Sequence, residues 1–197
     1  MLGVSLPASA ADRLLELLEE LVRWNKAYNL TAIRAPERML THHVLDSLAI
    51  HGDLRGARIA DVGAGAGFPG LPLAIVSPDR SFALIDSSGK KIRFIAHAVR
   101  TLELANVTAV HSRVEDLRPD VPFDTVIARA FAGIAELLAK VRALCGPQTR
   151  VLAMKGRYPA AEIAAVRAPW RVVAARPVHV PGLEEERHLV ILESDGA

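Results

Sequence analysis

The sequence predicts an α/β fold: a mostly parallel central sheet with helices on both faces, a helical extension ahead of it and an antiparallel hairpin behind. Three observations carry that expectation. Short apolar runs rich in Val, Ile and Ala alternate with helical patterns from residue 58 onward, as successive strand–helix–strand units do. The first run stops in a glycine-rich turn, Asp61-Val-Gly-Ala-Gly-Ala-Gly-Phe-Pro-Gly70. About twenty residues later the second ends on Ile85-Asp86, a carboxylate at the strand end where doubly wound sheets place their ligands.

The elements follow in order. From Asp12 to Tyr28, Leu14, Leu15, Leu17, Leu18, Leu21, Val22 and Trp24 recur at helical spacing among Glu16, Glu19, Glu20 and Arg23, so this segment is an amphipathic helix. Pro36 and Glu37 open a second helix that runs through Met39, Leu40, Val44, Leu45, Leu48 and Ile50 to Gly52. Strands are expected at 58–63, 81–86, 107–112, 123–129 and 150–155, with helices at 69–76, 89–104 and 133–145. A short helix at 159–167 leads to two extended runs, 171–180 and 187–193, whose closeness around Pro181-Gly182 makes them an antiparallel hairpin. The 197 residues suit a single core, so one domain is expected over 1–197, with a helical extension at 1–54 and a sheet-based core at 55–197.

Composition narrows the function classes. Apolar residues make up 51% and charged residues 23% of the chain, which excludes the polar, charge-rich signature of disorder. One cysteine, Cys145, excludes an intrachain disulfide framework and favours a reducing compartment; beside Gly146 and Pro147, near a helix end, it reads as a small buried residue. The start, Met1 to Ala11, lacks the basic flank of a secretory signal, and no apolar run approaches the roughly 18 residues of a membrane span. A soluble, cytoplasmic protein is expected. Arg outnumbers Lys, which suits planar contacts to phosphates and bases.

The literal pattern Gly65-x-Gly67-x-x-Gly70 with Asp86 downstream satisfies a dinucleotide fingerprint, so an NAD-dependent oxidoreductase is one reading. Asp61 ahead of the glycines and the two helices before the first strand pull away from it. Asp61-x-Gly63-x-Gly65-x-Gly67 resembles the first motif of Rossmann-like, class I S-adenosylmethionine-dependent methyltransferases. That ligand carries a cationic amino-acid end and no pyrophosphate, so an anionic Asp61 suits it, while Asp86 would accept from ribose hydroxyls. Ser112-Arg-Val-Glu115 after the third strand could border an adenine, and Arg129 ends the fourth strand at a ligand-facing position. His43 and Asp46, spaced i,i+3, lack a second ligand pair for a metal and read as a helical hydrogen bond. Lys155-Gly156 lacks the upstream glycines of a P-loop.

Eight blocks in order resemble one family. These are Trp24-Asn-Lys-Ala-Tyr-Asn-Leu-Thr31, His43-Val-Leu-Asp-Ser47, Asp61 to Gly70, Asp86-Ser-Ser-Gly-Lys-Lys91, Ser112 to Glu115, Arg129-Ala-Phe-Ala132, Lys155-Gly156 and Glu186-Arg-His-Leu189. Together they are similar to the GidB (glucose-inhibited division protein B), or RsmG, family of 16S rRNA guanine-N7 methyltransferases. The resemblance implies methyl transfer from S-adenosylmethionine to N7 of one guanosine in the decoding-region loop of 16S rRNA. It implies cofactor contacts at Gly63, Phe68, Val114, Glu115 and Arg129, to which the general methyltransferase pattern adds Asp86, with Gly65 in the same turn. It also implies the small ribosomal subunit as partner. Nothing in the sequence demands more than a monomer, and neither an obligate protein partner nor a metal is expected. One departure is visible: His42-His43 stands where the family often has Arg-His, which puts an RNA contact at position 42 in doubt. Lys26, Arg34, Lys90, Lys91, Arg93 and Lys155 are expected to form a basic rim that tracks the RNA backbone. A non-catalytic ribosome-binding protein with the same seat is another alternative, and a small-molecule methyltransferase is disfavoured because no large substrate-capping insertion interrupts the α/β alternation; no general base is expected, because N7 already carries an in-plane lone pair.

Overall fold

A computed structural model describes residues 6–131 and 133–194; the start of the Met1–Ala11 segment and Ala132 of the fourth-strand block lie outside the described residues. The elements are α1 (Ala10–Tyr28), α2 (Pro36–Met39), a π-helical stretch (Leu40–Leu45), α3 (Asp46–Leu48), β1 (Arg58–Val62), α4 (Gly70–Val76), β2 (Ser81–Asp86), α5 (Gly89–Thr101), β3 (Val107–His111), β4 (Phe123–Arg129), α6 (Ile134–Val141), β5 (Cys145–Lys155), α7 (Ala160–Ala164), β6 (Trp170–Pro177) and β7 (His188–Ser194). The seven strands form one sheet in the order β3-β2-β1-β4-β5-β7-β6. The β1–β2, β1–β4, β2–β3 and β4–β5 pairs are parallel, and β7 lies antiparallel between β5 and β6. Chain order reverses between β1 and β4, which opens a crevice at their carboxyl ends.

Alternation along the strands divides the core into two layers. Ile59, Ile127, Leu152, Leu189 and Ile191 face one layer with Leu17 and Leu21 of α1, Leu71 and Leu73 of α4, and Phe94 and Ile95 of α5. Ala60, Val62, Val126, Val151, Val190 and Leu192 face the other, under Ile134, Leu137, Leu138 and Val141 of α6. Each fully buried aliphatic side chain contributes about 1.5–3 kcal/mol. The N-terminal helices share the first layer with α4 and α5, which fixes them beside the crevice.

The structure departs from the expected elements in three places that matter. The helix from Pro36 is not regular: Leu40–Leu45 is π-helical, a register often found at functional sites, and here it carries His42 and His43. β5 begins at Cys145, not at residue 150, because Thr149 Oγ1 donates to the Phe123 carbonyl and accepts from the Gly146 amide. This holds an irregularity in the β4–β5 register. Cys145 is therefore the first residue of a strand, half-buried, and burial pushes its thiol up to about 12, which keeps it inert. The final hairpin keeps the expected turn at Pro181-Gly182, where the Leu183 amide donates to the Val180 carbonyl at 3.1 Å, but the turn lies within a longer connection, 178–187, which reaches the π-helical stretch: Glu185 Oε1 lies 3.2 Å from His42 Nε2.

Candidate functional site

Four loops meet at the carboxyl edge of the sheet, and the first is built by glycine. Gly63, Gly65 and Gly67 have φ of +67°, +62° and +84°, a left-handed region that costs side-chain-bearing residues about 1 kcal/mol or more. Space separates their roles. A Cβ on Gly63 would meet only Phe131 Cε2 at 3.9 Å, whereas one on Gly67 would fall 2.3 Å from Leu71 Cδ1. A Cβ on Gly70, at the start of α4, would lie 2.8 Å from Asp61 Oδ2. Gly63 keeps the backbone open to a ligand; Gly67 and Gly70 let the loop close onto the core.

Two carboxylates hold this loop. Asp61, at the end of β1, is fully buried; its Oδ2 accepts from the Gly70 amide at 2.8 Å. Its Oδ1 has no hydrogen-bond partner among the described residues. Burial pushes its carboxyl up to about 7, against the opposing pull of the Gly70 amide and of Arg129. Asp86, at the end of β2, accepts from the Gly65 amide at 2.9 Å through Oδ2 and from the Ser88 amide at 2.8 Å through Oδ1. Lys91 Nζ stands 3.6 Å from Oδ2. Each carboxylate oxygen accepts about two hydrogen bonds, so Asp86 ties two loops together and keeps acceptor capacity.

Beside Asp86 is a cavity of about 200 Å³ lined by Gly63, Asp86, Ser112, Val114, Glu115 and Phe131, among others. A second cavity, of about 460 Å³, includes His42, Asp46, Arg129, Phe131, Lys155 and Arg187 in its lining. Phe131 belongs to both linings, so the two cavities adjoin at this residue. The second is a polar network: Asp46 Oδ1 accepts from Arg187 Nε at 3.1 Å, and its Oδ2 lies 3.4 Å from Arg129 Nη1. Arg129 Nη1 also donates to the His42 carbonyl at 3.0 Å.

Gly63, Asp86, Val114 and Glu115 thus come together around one cavity. Gly65 reaches the same place through its amide on Asp86. Phe68 does not line either cavity; it is 2% exposed, stacked on His43 at 4.9 Å with Arg129 over its ring. Arg129 stands in the second cavity, drawn there by Asp46 and the His42 carbonyl. Asp46 is held by arginines and not by His43, whose Nε2 pairs with Thr31 Oγ1 at 3.0 Å. The sequence reading missed Asp46 and Arg187 as cavity residues, because their contact spans α3 and the segment before β7.

Of the basic rim, Lys26, Arg34, Lys90 and Arg93 are exposed. Lys90 Nζ donates to the Tyr28 carbonyl at 3.2 Å and Arg34 Nη2 to Asn29 Oδ1 at 3.0 Å, so both gather with Lys26 at the end of α1. Lys91 is turned toward Asp86. Lys155 departs from the expectation: its side chain is only 11% exposed and its ammonium pairs with Glu162 at 2.8 Å, a wall contact and not a rim cation.

His43 offers a pH test. Burial first, and the Arg129 charge second, lower its pKa to about 4, so it packs neutral against Phe68. A depressed histidine pKa contributes stability that is present above 6.5 and lost as pH falls through about 4. Subtracting the melting curves of His43→Gln from those of the wild type should isolate this loss, up to about 3 kcal/mol; a flat difference between pH 6.5 and 4 would contradict the assignment.

The chain's relatives place this geometry. The GidB family, described as rRNA small subunit methyltransferase G, matches residues 10–190. The chain belongs to the GidB family. Among curated relatives, the ribosomal RNA small subunit methyltransferase G of Aeromonas salmonicida (strain A449) is 48% identical over 188 residues, 95% of this chain and 90% of the relative. That of Pseudomonas paraeruginosa (strain DSM 24068 / PA7) is 48% identical over 193 residues, 97% and 90% of the two chains. Among solved structures, a SAM-dependent methyltransferase from Aquifex aeolicus superposes with a TM-score of 0.58 at 20% identity, covering 79% of this chain and 93% of that one. A ribosomal protein L11 methylase from Lactobacillus delbrueckii subsp. bulgaricus gives 0.58 at 16%, covering 76% of each. These two share the fold, that of Rossmann-like class I methyltransferases. For a GidB-family methyltransferase the cofactor is S-adenosylmethionine, and the oxidoreductase reading of the glycine pattern is set aside. The residues fit that cofactor: an open glycine at Gly63, acceptor capacity on Asp86 for ribose hydroxyls, and beneath the loop a buried carboxylate, Asp61, with an unpartnered oxygen favouring a cationic end.

Proposed function

We propose that the chain transfers a methyl group from S-adenosylmethionine to N7 of one guanosine in the decoding-region loop of 16S rRNA. The observation that carries the reading is the pair of adjoining cavities that share Phe131, one suited to a nucleoside and the other walled by arginines. Gly63, Asp86, Val114 and Glu115 would hold the nucleoside end of the cofactor. Gly65 and Phe68 would support it indirectly, through Asp86 and from beneath Arg129. Arg129, expected from the sequence at the cofactor, is assigned here to the acceptor side.

The cofactor supplies an electrophilic methyl group on a sulfonium. Guanine N7 offers an in-plane lone pair, so no side chain has to remove a proton before attack. What the chain contributes is alignment, exclusion of water and donors toward guanine O6. N7 lies on the edge that A-form RNA buries in its deep groove, so the target must sit in a loop or leave its stack. A cavity flanked by Phe131 and arginines suits such a base.

The rim formed by Lys26, Arg34, Lys90 and Arg93 would follow the RNA backbone, with Lys91 and Lys155 acting on the pocket itself. Reversing Arg34 and Lys90 to Glu should weaken small-subunit RNA binding and reduce its log–log salt slope by at least about 1.5, with S-adenosylmethionine affinity unchanged. Filter binding across a salt series checks this, and unaltered RNA affinity would count against the rim. Among the described residues no helix is long and apolar enough to cross a membrane; we place the protein in the cytoplasm as a monomeric single domain without an obligate protein partner. Incubation with labelled S-adenosylmethionine and small-subunit RNA tests the activity: label in the RNA is expected, and binding without transfer would favour a non-catalytic role.

A further inference from the structure

We propose that Asp46 is a positioning residue of the acceptor cavity, a single buried carboxylate that fixes Arg129 and Arg187 together against the acceptor nucleotide. The inference rests on the methyl-transfer reading above and extends it to what orients the two guanidiniums. Asp46 has a side chain 4% exposed, and it enters from the end of the π-helical stretch. Arg129 arrives from the end of β4 and Arg187 from the segment preceding β7, and both meet this carboxylate, one on each oxygen. Backbone carbonyls complete the grip: His42 accepts from Arg129 Nη1, and Glu186 accepts from Arg187 Nη1 at 2.8 Å.

A guanidinium carries five N–H donors in a planar fork, so these contacts leave donors on each arginine, and both line the cavity. Lys155, the third cation of that wall, is matched by Glu162. The arginine pair, with one carboxylate between two cations, is therefore the part of the cavity with excess positive charge. Phosphate oxygens and the O6 edge of guanine are what such paired forks accept. Because one carboxylate serves both arginines, its loss should release both at once.

Asp46→Asn and Arg187→Lys, the second keeping its charge while losing the Nε contact, test this by steady-state kinetics with small-subunit RNA and by calorimetry with S-adenosylmethionine. For Asp46→Asn the RNA KM should rise at least tenfold, with kcat lowered less than threefold and the cofactor Kd within threefold of wild type. Arg187→Lys should raise the RNA KM three- to tenfold, and the double variant should be no worse than Asp46→Asn alone. An RNA KM within twofold of wild type in Arg187→Lys overturns the proposal even if Asp46→Asn fails to fold. So does a tenfold weaker cofactor Kd with unchanged RNA KM in Asp46→Asn, which would place the carboxylate on the donor side. A wild-type protein that transfers no methyl group would instead overturn the reading underneath, and the inference with it.

Discussion

Replacing Gly67 with alanine is expected to lower the melting temperature by roughly 5–15 °C. Two effects add. At φ +84° an alanine is strained by about 1–2 kcal/mol, and its Cβ would lie 2.3 Å from Leu71 Cδ1 and 2.7 Å from Leu71 Cγ. Leu71 is wholly buried, so it cannot swing away without repacking the layer between α4 and the sheet, a cost of about 1–3 kcal/mol. Gly63→Ala is the control that separates stability from binding. It carries similar strain, at φ +67°, but meets nothing closer than Phe131 at 3.9 Å. It should melt only a few degrees lower while losing at least tenfold in S-adenosylmethionine affinity, because its methyl enters the nucleoside cavity. Equal melting temperatures for Gly67→Ala and wild type would contradict the packing argument, and undiminished cofactor affinity in Gly63→Ala would contradict the seat.

Asp61→Asn should change both pH dependence and cofactor affinity. The carboxyl of Asp61 titrates near 3.8 when solvated and is pushed up to about 7 by burial in the fold. The folded chain therefore holds a proton that the unfolded chain has released, and stability present below 3.8 is drained as pH rises through about 7. The full shift corresponds to roughly 4 kcal/mol. Asparagine can still accept from the Gly70 amide, so the variant should escape this decline and match or exceed the wild type at pH 8. Without the negative charge under the loop, S-adenosylmethionine affinity should fall at least tenfold. Denaturant melts from pH 4 to 8 and calorimetry at pH 8 check the two halves; parallel stability curves would refute the buried-charge assignment, and equal affinities would leave Asp61 a purely structural residue. The opposite sign at His43 means that wild-type curves alone hide both effects, and the variants separate them.

Local chemistry explains what could be read in advance. Strand alternation and the glycines wrote the sheet and its first loop into contiguous sequence, and Asp86 was found because it ends a strand at a fixed spacing from that loop. Glu115 and Val114 were legible for the same reason, as the loop after a strand. The acceptor wall was not. Asp46 meets Arg129 and Arg187 only after the connection 178–187 folds back onto the π-helical stretch, and no periodicity records a contact between such distant segments. The π-helical register itself left no trace, since Met39, Leu40, Val44 and Leu48 satisfy an ordinary helical pattern. Lys155 looks solvated in the sequence because it ends a strand, and only the fold shows Glu162, on the following helix, closing over it.

In the proposed reaction the donor would sit in the cavity beside Asp86 and an extruded guanosine in the cavity beside Arg129, with N7 facing the methyl group. Small-subunit RNA methylated by the purified protein can be reduced and cleaved with aniline, which breaks the chain at 7-methylguanosine. A single cleavage in the decoding-region loop is the result predicted here; label retained in RNA that resists cleavage, or cleavage at many guanosines, would contradict it.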